Sequence, residues 1–464
     1  MSEEKIYFYY TNDLHSNFEQ WPRVTAFLKE KQDLRKQNKE AYFTMDVGDH
    51  VDRSHPITEA SSGLANVELL NEAGYDIVTI GNNEGITLSH QELYQLYDKA
   101  DFQVVCSNLF SMDEFTPFWL KRTHTFTTES GIRIGVLGLT APFNAFYNLL
   151  DWNVENEFDI IESYIEELAR ETDMIILLSH LGISVDQEIS RRYPDIDVII
   201  GGHTHHLLEE GEVVNQTLIT AAGKHCYYMG EVEVIWDHEK KQIISKEADA
   251  VSLIDSVKDL KTEEHLQQLL QQANHYLDQV VAVVEEPLEV KWFGETPIIQ
   301  SLTKVLKRWT NADIAMLNAG VLLDSLPAGA ITKGDLHRIC PHPINPVLVD
   351  LRGDEIVETV RASLSTSFTE LKLKGFGFRG EILGEMIFSG IRVETAFHRN
   401  GDIYVKQVYT ENGYPINPDK TYYVATADVF TLGQLLPEIA RSAKKQYFVP
   451  EFLRDLLAYA VKQS

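Results

Sequence analysis

Tyr9-Tyr10-Thr11-Asn12-Asp13-Leu14-His15 sets a run of strand formers directly ahead of an Asp-x-His pair. Residues 6–10 read as a buried strand from their length and their β-branched and aromatic content. Asp13 and His15 follow at the strand's C-terminal end, two residues apart and so on one side of an extended chain. A carboxylate oxygen and an imidazole nitrogen converging there make half of a divalent-metal site. Alone, the pair is as good a solvated loop as a ligand pair. Its weight comes from what recurs downstream.

After a helix expected over residues 21–39, Ala41-Tyr42-Phe43-Thr44-Met45-Asp46-Val47-Gly48-Asp49 is a second strand ending in a carboxylate beside a glycine. Asp76-Ile77-Val78-Thr79-Ile80 ends in Gly81-Asn82-Asn83-Glu84. Residues 174–178 end in Ser179-His180-Leu181-Gly182, and residues 197–200 end in Gly201-Gly202-His203-Thr204-His205-His206. Strands over residues 103–106 and 132–139 carry no such ending. Each ending has a bland reading as a cap, a turn Asn or a surface His. Their repetition at strand C-terminal ends, where α/β sheets build their sites, favours one shared centre. Asp13, His15, Asp49, Asn82, His180, His203 and His205 are the expected ligands. Mixed N and O donors with a shared carboxylate suit two divalent ions about 3.5–4 Å apart, which generate a nucleophilic hydroxide and neutralise phosphoryl oxygens. The donors favour Mn, Zn, Fe or Co over Ca or Mg.

D-x-H, G-D, G-N-x-E, H-L-G and G-H-T-H in this order resemble the calcineurin-like metallophosphoesterases. The resemblance extends to their 5′-nucleotidase/2′,3′-cyclic phosphodiesterase branch and, within it, the YunD-like cytoplasmic group. It implies a four-layer α/β/β/α sandwich followed by a smaller α+β nucleotidase-type C-terminal domain. It also implies that Asp49 bridges the ions, with Asp13, His15 and His205 on one and Asn82, His180 and His203 on the other. The family's third motif reads G-N-H-E-F-D, its His acting on the leaving group and its Asp orienting that His. Here those positions hold Asn83 and Ile86. Asn donates a hydrogen bond but gives up no proton, so general-acid help of about 10²–10⁴-fold should be missing. His50, His55 and His90 lie nearby in sequence as substitutes, though each reads more simply as a surface histidine.

At 464 residues the chain exceeds the size at which single cores stop growing, so two domains are expected, over residues 1–290 and 291–464. A net charge of −29 argues against nucleic-acid polymers and anionic membranes as partners, while the two-metal reading and the resemblance imply a small phosphorylated substrate. The acidic start has no signal-peptide pattern, and no apolar run approaches about 18 residues. Cys106, Cys226 and Cys340 are few and widely spaced. A cytoplasmic protein is expected.

In the second half, apolar spacing predicts helices over residues 255–278 and 296–310, the resemblance making the latter the link between domains. Asn318-Ala319-Gly320-Val321-Leu322-Leu323 stands where relatives have N-x-G-x-x-R, so Leu323 replaces a nucleotide-binding Arg. A gapless reading puts Glu385 and Val429 at two base-stacking Phe positions, with Phe430 available if register slips by one, and Gly433-Gln434-Leu435 at a G-G-D. Stacking is worth about 1–3 kcal/mol per aromatic, so these losses should nearly abolish ordinary nucleotide affinity. Asn318, Phe430 and Arg379, the last in Lys374-Gly375-Phe376-Gly377-Phe378-Arg379-Gly380, are the candidate substrate contacts, with His342 a further anion candidate. The favoured function is a two-metal phosphoesterase attacking through a metal-bridging hydroxide. The alternative is a metal-containing binding or regulatory protein with little hydrolytic activity.

Overall fold

The computed structural model describes residues 3–113, 115–375, 377–397 and 403–463; Phe376 of the glycine-rich stretch lies outside them. The chain divides into two compact units, residues 1–273 and 274–464.

In the first unit, strand Glu3–Thr11 is central in a seven-stranded sheet, parallel to Ala41–Asp46 on one side and antiparallel to Tyr228–Asp237 on the other. A six-stranded sheet is centred on Met174–His180, which runs parallel to both Val198–Gly201 and Arg133–Thr140. Alternation along the strands decides the layers. Ile6, Phe8 and Tyr10 from one sheet and Ile176, Leu178 and Ile200 from the other fill a shared core. Ile175, Leu177 and Ile199 point the opposite way, onto Ile160, Ile161 and Ile165 of helix Glu157–Glu171 and Ile189 of helix Ile183–Arg192. Tyr9 faces out of the first sheet and meets Phe27 of helix Trp21–Asn38 edge-on. The result is the four-layer α/β/β/α sandwich, with parallel strand ends of both sheets along one edge.

Helix Leu260–Leu277 contains the division between the units, ahead of the expected 290/291 boundary. The second unit is α+β, a five-stranded sheet with Ile314–Asn318 and Thr421–Ala427 inside it. Helix Pro297–Trp309, a helix expected from its spacing and given by the resemblance as the link between domains, lies within the second unit instead. Its buried stripe of Ile298, Ile299, Leu302, Val305 and Leu306 belongs to the core of the second unit. Periodicity reveals which face of a helix is buried and leaves its partner open. Among the described residues no helix is long and apolar enough to cross a membrane.

Candidate metal centre

The strand ends bring the expected ligands together in the first unit. Asp13 Oδ1 lies 3.3 Å from His205 Nε2 and 3.8 Å from His15 Nε2, and those two ring nitrogens face each other at 3.1 Å. On the other side, His180 Nε2 lies 3.3 Å from Asp49 Oδ1, while Asp49 Oδ2 lies 3.7 Å from His15 Nε2. One carboxylate thus turns an oxygen to each histidine set. Asp13 Oδ1 also stands 4.0 Å from His180 Nε2, so Asp13 reaches both sets, beyond what the resemblance implied. Asn82 Oδ1 and His203 Nδ1 are 2.8 Å apart.

The backbone is bent to make this possible. Asp13, His15, Asp49, His203 and His205 all hold left-handed φ values between 49° and 69°. Non-glycine residues adopt these rarely, and they gather at sites where surrounding structure over-determines them. The turn before Asp49 needs glycine, because Gly48 has φ +85° and a Cβ there would sit 2.3 Å from the Gly81 nitrogen.

The donor set fits divalent ions. His180 Nδ1 donates to the Val47 carbonyl at 2.7 Å, which leaves Nε2 as a bare lone pair. That nitrogen is buried without a hydrogen-bond partner among the described residues and faces two carboxylates. Lone pairs meeting in this way repel unless a cation lies between them. Without a metal, a proton takes that role: burial pushes the His180 pKa down, but Asp49 and Asp13 outweigh it and raise it to about 10. Burial likewise pushes Asp49 up, and His180 and His15 reverse this, holding it below the usual carboxylate range. Burial and the charge of His180 push His203 down to about 4.

Asn83 sits at the rim of this centre. Its backbone N–H donates to Asp49 Oδ1 at 2.7 Å, and its side-chain amide is 3.0 Å from His15 Nδ1. The three nearby histidines have other roles. The His50 ring lies against Trp21 with Nδ1 beside the Asn66 amide, and burial pushes its pKa down to about 3. His55 caps helix Pro56–Ser61 by accepting from the Ile57 N–H, and His90 packs on Trp152.

Several contributors escaped the sequence reading. Glu84 is fully buried and accepts from the backbone N–H groups of Gly81, Asp49 and Val51, at 3.0, 3.0 and 2.8 Å, tying the two ligand loops together. Asn12 donates to Asp13 Oδ2 at 2.7 Å. Asp52 Oδ2 faces His15 Nδ1 at 3.4 Å, and the His225 ring stands edge-on to His15 at 6.0 Å. Glu84 was visible as the Glu of the G-N-x-E motif and Asn12 as the neighbour of Asp13, and neither pattern showed the contacts it makes. Nothing local marked Asp52 or His225.

In the second unit the candidate contacts are built into the fold. Asn318 is buried and donates its amide to the Leu383 carbonyl at 2.8 Å. Phe430 is fully buried, 6.0 Å from the Phe368 ring, and offers no open face for a base. His342 uses both nitrogens, Nε2 donating to the Val321 carbonyl and Nδ1 accepting from the Arg379 N–H, while its ring stacks on Phe378. It is not available to an anion. The Arg379 side chain is exposed.

A two-sheet sandwich whose strand ends gather histidines and carboxylates around shared lone-pair gaps is a protein of the metallophosphoesterase class. Residues 6–207 match the family described as Calcineurin-like phosphoesterase, and residues 280–434 match 5′-nucleotidase, C-terminal domain. The chain belongs to the calcineurin-like phosphoesterases that carry a 5′-nucleotidase-type C-terminal domain, and with them to the phosphoric ester hydrolases. It is 44% identical over 462 residues to the metallophosphoesterase YunD of Bacillus subtilis, covering 99% of this chain and 100% of that protein. It is 24% identical to the trifunctional nucleotide phosphoesterase YfkN of the same organism, covering 90% of this chain and 31% of that one. Among solved structures, a putative 5′-nucleotidase from Staphylococcus aureus shares the fold at a TM-score of 0.71 and 18% identity, with 99% of this chain and 97% of that chain covered. A 5′-nucleotidase precursor from Thermus thermophilus does so at 0.62 and 21%, with 99% and 96% covered.

Proposed function

We propose that the chain is a two-metal phosphoesterase acting on a small phosphorylated molecule whose leaving group departs without protonation. The observation that carries this is Asp49, whose two oxygens face separate histidine sets. Asp13, His15 and His205 would hold one ion and Asn82, His180 and His203 the other, with Asp49 placed to serve both. Such ions, when bound, supply an activated water and neutralise phosphoryl oxygens. The protein's part is to fix the donors on strand ends and to exclude competing hydrogen bonds. Asn83 can donate a hydrogen bond at the rim but supplies no proton, which favours aryl esters, anhydrides and strained diesters over alkyl monoesters. Of the second unit's candidates, exposed Arg379 remains the one suited to an anionic group. The buried states of Asn318 and Phe430 argue against an ordinary nucleotide pocket there.

The test is a Mn²⁺-supplemented assay of bis-p-nitrophenyl phosphate, p-nitrophenyl phosphate and AMP, with His180→Ala as blank. Turnover of the nitrophenyl esters and not of AMP is expected. Two bound metals with no turnover of any of them would overturn the proposal.

A further inference from the structure

The His15 ring has two nitrogens with different neighbours. Nε2 faces Asp13, Asp49 and His205, and Nδ1 faces away from them, toward Asp52 Oδ2 at 3.4 Å. Asp52 is buried, at 1% exposure, and is held from both ends. Its Oδ1 accepts from the Ser54 N–H at 2.8 Å, and its own N–H donates to Ser16 Oγ at 2.8 Å. Ser16 Oγ in turn accepts from Thr58 Oγ1 at 2.8 Å and Asn66 Nδ2 at 3.1 Å. With Oδ1 taken by Ser54, Oδ2 is the oxygen presented to the ring.

We propose that Asp52 is a positioning residue for one ion of the pair: it keeps the His15 proton on Nδ1 and so leaves Nε2 bare to bind metal. This rests on the two-metal reading above. An ionised carboxylate only accepts, so it requires a proton on the nitrogen it faces. A ligand histidine whose far N–H is held by a carboxylate is fixed in both tautomer and orientation. The Asn83 amide nitrogen lies 3.0 Å from the same nitrogen, and the amide can turn over to present its other end to the ring. Beside a charged acceptor the amide is the partner that adapts, presenting its oxygen to the N–H.

Asp52→Asn separates this from a packing role. Oδ1 can still accept from Ser54, so the new NH₂ takes the Oδ2 position and donates to Nδ1. That moves the proton to Nε2, where it blocks the metal.

Mn²⁺ titrated calorimetrically into apo-protein, with electron paramagnetic resonance at two equivalents, reads the outcome without any assay of activity. Two sites and a spin-coupled pair are expected for wild type. In Asp52→Asn one site should weaken about 10–100-fold, the other should hold within about twofold, and the spectrum should become that of isolated Mn²⁺. The melting temperature of the apo-protein should stay near wild type. If Asp52→Asn does not fold, Asp52→Ala carries the test, with the same selective loss. Two wild-type sites left unchanged, or both weakened alike, would overturn the positioning role alone. A wild-type chain that takes up no Mn²⁺ would overturn the two-metal reading together with it.

Discussion

Polar and aromatic residues singled out by position meet opposite fates in the two units. In the first, His180 Nε2 is buried without a hydrogen-bond partner among the described residues and the ring nitrogens of His15 and His205 face each other at 3.1 Å, on a backbone bent into left-handed turns. In the second, Asn318 and His342 have their hydrogen bonds made inside the fold, and Phe430 is sealed in the core. Buried polar groups are normally satisfied, so the exceptions call for a ligand, whereas satisfied groups hold the fold. The strand-end edge keeps a buried nitrogen unsatisfied, while the candidate contacts of the second unit are part of its packing.

The largest expected effect strikes the first unit. His180→Ala removes a donor that touches both shared carboxylates, and metal catalysis supplies several kcal/mol. Turnover of p-nitrophenyl phosphate should fall about 10³-fold or more, with one equivalent of metal lost on elemental analysis. In the second unit Phe430→Ala should behave as a core deletion, costing about 3–5 kcal/mol in denaturant unfolding and leaving KM for the nitrophenyl esters unchanged. A raised KM at unaltered stability would erase the contrast, because it would make Phe430 a substrate contact.

Asp49 and Asp428, one buried carboxylate from each unit, also differ in charge. Histidines keep Asp49 ionised in the first unit, whereas burial alone raises Asp428 in the second to about 7 from 3.8. Asp428 accepts from the Asn345 N–H at 3.1 Å and faces no cation among the described residues, its titratable neighbour being Tyr447. Folded Asp428 therefore holds a proton that the unfolded chain releases. Its contribution is full below about pH 3.8 and declines as pH rises to about 7, by on the order of 4 kcal/mol at most. Asp428→Asn keeps the acceptor and removes the titration. Its melting temperature should exceed wild type at pH 8 and vary less between pH 4 and 7. Equal pH profiles would mean that Asp428 is already ionised and served by water.

Much of the candidate centre was legible because each expected ligand sits at or just past the end of a strand with its own local pattern. The meeting of those ends follows once parallel strands are recognised. What stayed hidden depends on contacts across the chain. Asp52 faces His15 only because two loops lie side by side, and Glu84 gathers N–H groups from a loop more than thirty positions away. In the second unit the motif positions were readable, but a motif does not show whether its side chain ends in solvent or in the core. Phe430 and His342 are where that mattered.

Asn83→His is the smallest of these changes and the one that most sharpens the contrast. The position is half-buried beside His15, and its backbone N–H already serves Asp49. An imidazole there can donate a proton, so an alkyl monoester should gain most and an aryl ester, whose leaving group needs no acid, should gain little. Ile86 offers no carboxylate to orient the new ring, which keeps the gain near the low end for general acids, about 10²-fold in kcat. Adding Ile86→Asp should raise it further for the alkyl ester alone. Equal gains on both esters would place the effect at the metal ligands through His15 instead. No gain on either would mean that the departure of the leaving group is not what limits this enzyme.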